Sequence, residues 1–157
     1  MQDVPLEKFP INDLNPTERQ IIKFVYRWVN QMLPNTKDIA KNLNLPHSTV
    51  SSTLKRMKGT EKKKYIFAWE PYHGVALTEE GKIIAEHIEN HHHIMEIFLH
   101  KSLELDEIRS HKESELLGIS VSCELTKTIS DYYNITKDSL GKFCICPDDK
   151  EKECVFK

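Results

Sequence analysis

Residues 36–58 read TKDIAKNLNLPHSTVSSTLKRMK, and this stretch decides the fold. Thr36 to Leu43 reads as a short helix, with Thr36 as its cap. Asn44-Leu45 reads as a turn, and Pro46 opens a second helix through HSTVSSTLKRMK. Within that second helix Val50, Leu54 and Met57 share one face at spacings of four and three. Ser48, Ser51, Ser52 and Lys55 fall largely elsewhere. A bracing helix, a tight turn and a helix with small polar residues at its N-terminal end together read as a helix-turn-helix.

Charge supports a nucleic-acid reading. Residues 36–64 hold eight Lys/Arg against two acids, a net of +6, within a chain of net −2. Residues 1–35 balance at zero, so residues 65–157 carry −8. A compact basic patch on an acidic protein is the footprint of a nucleic-acid reader, and with the helix-turn-helix the expected partner is double-stranded DNA. The competing reading is a solvated charged face. Pro46, Ser48, Thr49, Ser51, Ser52, Lys55 and Arg56 are the candidate DNA-contacting residues. Small hydroxyls let a helix seat deeply in the major groove, and Lys55 and Arg56 reach phosphates.

Outward from this centre, Asn15-Pro16-Thr17-Glu18 reads as a helix start, with apolar residues recurring from Ile21 to Val29 until Pro34 ends the helix. Residues 1–14 contain Pro5 and Pro10 and read as an extended arm. Downstream, Tyr65–Trp69, the turn EPYHG at 70–74 and Val75–Leu77 make a β-hairpin, hence a wing, with His73 at its tip as a further backbone contact. Thr78 caps a long helix to about Ser102; Asp106 caps another to Gly118; Ser122 begins a third, to Tyr133.

The long helix carries HIENHHHIMEIFLH at 87–100, five of the eight histidines. His92 falls in the apolar stripe of Ile84, Ile88, Met95 and Leu99, and Glu96 follows one turn on. His111 and Glu115 repeat the same spacing in the next helix. One helix cannot turn five histidines to one ion, so His87, His91, His93 and His100 read as surface residues.

The stretches DIAKNL, STVSSTLKRM, GVALTEEGK, IAEHIENHHHIMEIFL, LELDEI and HKESELLG, in this order and spacing, resemble the diphtheria-toxin-repressor family of metal-dependent regulators, which includes the manganese transport regulators. The resemblance runs from about Glu18 to Tyr133. It implies a winged helix, a helical dimerisation domain, and divalent-metal control of binding to palindromic operators. It also implies that His92, Glu96 and His111 match the family's ancillary metal site and that Glu115 matches a main-site ligand. Gly118-Ile119 stand where a Glu-His pair is expected. Gln20 replaces a Met or Asp, and Lys23 replaces an acid, so the rest of the main site departs from the pattern.

The expected architecture is mainly α: an arm at 1–14, a winged helix-turn-helix at 15–77, a helical dimerisation and metal-sensing domain at 78–134, and a cysteine-bearing tail at 135–157. The expected function is a cytoplasmic, homodimeric, metal-dependent transcriptional regulator of the iron or manganese type. One divalent ion per chain (Fe, Mn or Zn) would bind at His92, Glu96, His111 and Glu115. The competing reading of these four is a hydrogen-bonded polar cluster.

An alternative regulator has a degenerate metal site and is constitutive or responds through Cys123, Cys144, Cys146 and Cys154. A CxC pair lacks the two CxxC knuckles of a dependable zinc site. A metal-dependent hydrolase is disfavoured, because no general base stands beside an open metal position. No apolar run approaches the ~20 residues that cross a membrane. The N-terminus, MQDVPLEKFP, lacks the basic-then-apolar pattern of a secretory leader.

Overall fold

The computed structural model describes residues 11–60, 63–64, 67–70 and 73–136. The tail cysteines Cys144, Cys146 and Cys154 lie outside the described residues. The chain divides into two compact units, one built from residues 17–85 and the other from 9–16 with the residues after 85.

The first unit begins with helix α1, Pro16–Arg27, which buries Ile21, Ile22 and Val25. Pro34 does not end it. The helix stops seven residues earlier, where Trp28 N–H bonds Val25 O at 3.2 Å and the Trp28 indole N–H bonds Met32 O at 2.8 Å. Val29, apolar but exposed, extended the periodicity past the real end.

Helix α2 is Thr36–Leu43, and its cap is Asn35 rather than Thr36. The Asn35 side chain accepts from Asp38 N–H and the Asp38 carboxylate accepts from Asn35 N–H, each at 2.9 Å, which closes a capping box. Asn44 then adopts a left-handed conformation (φ 52°), which Asn tolerates better than most residues. Leu45 N–H returns to Ala40 O at 3.0 Å, so the turn is short and closed at both ends.

Helix α3, His47–Lys58, buries Val50, Leu54 and Met57 as the 4-3 spacing requires, with Thr53 beside them. It packs against α2 and against strand β3. Strands β1 (Gly59–Thr60) and β2 (Lys63–Lys64) form a short antiparallel ribbon that the basic run at 62–64 did not announce. Strands β3 (Phe67–Glu70) and β4 (Gly74–Leu77) form the expected hairpin, with Trp69 opposite Val75. Gly74 has φ +83°, and a β-carbon there would lie 2.7 Å from Leu33 Cβ. Glycine therefore lets Val75 N–H reach Pro34 O at 2.8 Å.

The second unit rests on α4 (Glu79–Leu103), α5 (Glu107–Gly118) and α6 (Cys123–Tyr132). Their caps are the expected ones. Thr78 Oγ1 accepts from Gly81 N–H, Asp106 from Arg109 N–H and Ser122 from Leu125 N–H. Ile94, Met95, Val121 and Ile129 form its core, with Phe98, Tyr133 and Ile135 against them. Part of the expected arm is structured: residues Ile11–Asp13 make one 3₁₀ turn that buries Ile11 and Leu14, and Asn12 Oδ1 accepts from Cys123 N–H at 3.0 Å. Among the described residues no helix is long and apolar enough to cross a membrane.

Candidate metal centre and DNA-facing helix

Two His–Glu pairs with i, i+4 spacing, one on α4 and one on α5, come together. His92 Nε2 lies 3.3 Å from a Glu96 carboxylate oxygen and 3.5 Å from one of Glu115. His111 Nδ1 lies 3.6 Å from Glu96 and its Nε2 3.8 Å from Glu115. The i, i+4 spacing supplies each pair, and packing of the two helices brings the pairs together. His92 is buried, Glu96 and Glu115 are half-buried, and His111 is exposed.

Ser114 holds His92 at Nδ1. A serine hydroxyl has one proton to give. Ser114 Oγ gives it to His111 O at 2.8 Å, so toward His92 Nδ1, at 3.1 Å, it acts as acceptor. On the other side of the ring, His92 Nε2 faces the two carboxylates. A tetrahedral ion with bonds of about 2.0–2.3 Å holds its ligand atoms roughly 3.3–3.7 Å apart. One ligand atom from each of His92, Glu96 and His111 lies within 4.8 Å of the others, a grouping that could hold a divalent ion, with Glu115 3.5 Å from His92 beside it and Ser114 on the far side of the imidazole.

The other histidines divide. His93 and His100 are exposed, as expected, and His100 Nδ1–H bonds Leu105 O at 2.8 Å. His87 and His91 are not surface residues. They are buried, and both lie beside Cys123 of α6. Period counting on α4 alone missed this, because α6 covers the side of the helix that looked polar. The signal was Cys123 itself, one residue past a cap.

On α3 the candidate DNA-facing residues sort by exposure. Ser48, Ser52, Lys55, Arg56 and Pro46 are exposed, and Thr49 and Ser51 are half-buried. Ser52 Oγ–H bonds back to Thr49 O at 3.0 Å. The Arg56 guanidinium is already engaged, paired with the buried carboxylate of Glu18 on α1. His73 is exposed in the turn before β4.

Residues 78–152 match the metal binding and dimerisation domain of the iron-dependent repressors. An uncharacterised HTH-type transcriptional regulator of Methanocaldococcus jannaschii is 31% identical over 105 residues, which is 67% of this chain and 81% of that protein. The chain belongs to the iron-dependent repressor family. Solved structures share the repressor's fold. A hypothetical protein from Sulfolobus solfataricus superposes with a TM-score of 0.58 at 19% identity, over 76% of this chain and 89% of that one. ScaR with bound Zn²⁺ gives 0.60 at 20% identity, over 76% and 55%. A manganese-dependent transcriptional repressor in complex with manganese gives 0.60 at 22% identity, over 76% and 54%. This repressor spans a little over half the length of the last two. Its α4–α6 helices fall within the family's metal-binding and dimerisation domain, and its helix-turn-helix precedes that domain.

Proposed function

We propose that this protein is a homodimeric, cytoplasmic repressor that binds palindromic operator DNA when a divalent ion of the iron or manganese type occupies His92, Glu96, His111 and Glu115. The observation that supports the metal dependence is the approach of His92 Nε2 to both Glu96 and Glu115. The ion would tie α4 to α5. His92 and His111 each contribute a nitrogen, the two glutamates neutralise the charge, and Ser114 keeps the His92 ring in place. The group binds and does not turn over: the protein acts as a regulator rather than an enzyme.

Helix α3 would enter the major groove through Ser48, Thr49, Ser51 and Ser52, with Lys55 and Arg56 toward phosphates and His73 of the wing at the backbone. One winged helix reads one half-site, so a palindrome requires two copies.

The test is selection of bound duplexes from a random pool, with Mn²⁺, Fe²⁺ or Zn²⁺ or with chelator, for the wild type and for His92→Ala with His111→Ala. A palindrome bound only with metal, and not by the double variant, is the expected result. A site bound equally under chelator would replace this reading with a constitutive regulator.

A further inference from the structure

Buried within the second unit is a group of a different chemistry. His87 and His91 lie one turn apart on α4, and Cys123 is the first residue of α6. Their exposures are 5%, 0% and 6%. One ligand atom from each, two imidazole nitrogens and a sulfur, lies within 4.8 Å of both others. His87 Nε2 is 3.4 Å from Cys123 Sγ, and the two imidazole rings meet edge to face at 4.8 Å between centroids.

We propose that His87, His91 and Cys123 form a second metal site, for a thiolate-preferring ion of the zinc class. The site shares no residue with the His92 group, and the inference does not rest on the function proposed for that group. Three features carry it. First, the nitrogen–sulfur distance matches the roughly 3.3–3.7 Å edge that a tetrahedral zinc sets between its ligand atoms. Second, Cys123 is the first residue of α6, directly after the Ser122 cap, so the sulfur stands on a rigid element. Its own N–H is held by Asn12 Oδ1, which fixes where the sulfur stands. Third, burying two imidazoles and a thiol together costs desolvation that three apolar residues would avoid. Coordination of all three to one ion offsets that cost.

The donor sets of the two groups select different ions. Two imidazoles and two carboxylates accept Mn²⁺ or Fe²⁺ as well as Zn²⁺, whereas a thiolate with two imidazoles disfavours Mn²⁺. Zinc in such a three-ligand site takes a water as its fourth ligand. Burial argues against the same cysteine and histidine serving as a nucleophile and base, since a substrate would have no approach to a sulfur 6% exposed.

The experiment is Co²⁺ titration of the full chain with Cys144, Cys146 and Cys154 replaced by Ser, so that Cys123 is the remaining thiol. Two equivalents are expected, one of them giving a near-ultraviolet thiolate-to-cobalt charge-transfer band that Zn²⁺ abolishes and Mn²⁺ does not. Adding Cys123→Ser should remove the band and one equivalent. Adding His92→Ala with His111→Ala should remove the other equivalent and keep the band. Should Cys123→Ser lose its helical circular dichroism, His87→Gln serves instead, with at least tenfold weaker Co²⁺ binding at the band-forming site expected. No band in the parent, a band surviving Cys123→Ser, unchanged affinity in His87→Gln, or loss of the band in the His92/His111 variant would each overturn the proposal. Failure of the His92 group alone shows separately, as one missing equivalent with the band intact.

Discussion

Gly118 lies against the main chain of His92. A β-carbon at 118 would stand 2.9 Å from His92 Cα and 3.1 Å from its nitrogen, so α4 and α5 touch backbone to backbone at His92. The position that departs from the family's acidic ligand is therefore one where this chain has no room for a side chain. Gly118→Ala should force α5 off α4 at a cost of about 1–3 kcal/mol. Thermal unfolding checks the cost. A parallel metal titration should weaken, because the Glu115 and His111 ligands move with α5.

Ser114→Ala should weaken metal binding roughly 10–100-fold while leaving the fold intact. Loss of the hydroxyl removes the group that bonds His92 Nδ1. Calorimetric titration with Mn²⁺ or Zn²⁺ reads the change, and circular dichroism controls for structure. Unaltered affinity would mean that the imidazole is held by packing alone.

Ser48→Glu and Ser52→Glu should abolish DNA binding with no change in helical content. Both side chains are exposed and stand off the buried Val50, Leu54 and Met57 face, so a carboxylate there meets phosphates or base edges and not the core. Anisotropy with the selected duplex measures this, and wild-type affinity in either variant would remove α3 from the groove.

Lys55 and Arg56 should behave differently although they are neighbours. Lys55→Gln should flatten the log–log salt dependence of DNA binding by roughly 0.9 for a lost phosphate contact. Arg56→Ala should also lower stability, by about 1–3 kcal/mol, because it takes a charged partner from the buried Glu18 carboxylate. Equal melting temperatures for the two variants would show that the Arg56 pair contributes nothing to the fold.

Ile108 and Leu116 on α5 are 81% and 63% exposed, an unusual cost for large apolar residues within a dimerisation domain. Ile108→Asp with Leu116→Asp should shift the full chain from dimer to monomer in sedimentation at micromolar concentration, leaving each copy folded. A persistent dimer would place the interface on another face.

Much of this protein was determined by local sequence. The 4-3 spacing of Val50, Leu54 and Met57, the caps at Thr78, Asp106 and Ser122, and the hairpin ending in Gly74 are short-range features, decided by sterics and hydrogen bonds among near neighbours. The pairs His92/Glu96 and His111/Glu115 were legible for the same reason, since a helix places i and i+4 side by side. Local signals also misled where neighbours compete: Asn35 took the cap from Thr36, and exposed Val29 lengthened the apparent helix. Only the tertiary structure decided that the two His/Glu pairs converge, that Ser114 bonds His92 Nδ1, and that His87 and His91 are buried with Cys123 rather than solvated. Those relationships depend on which helix covers which face. Packing of whole elements settles that, and the period of a single helix does not contain it.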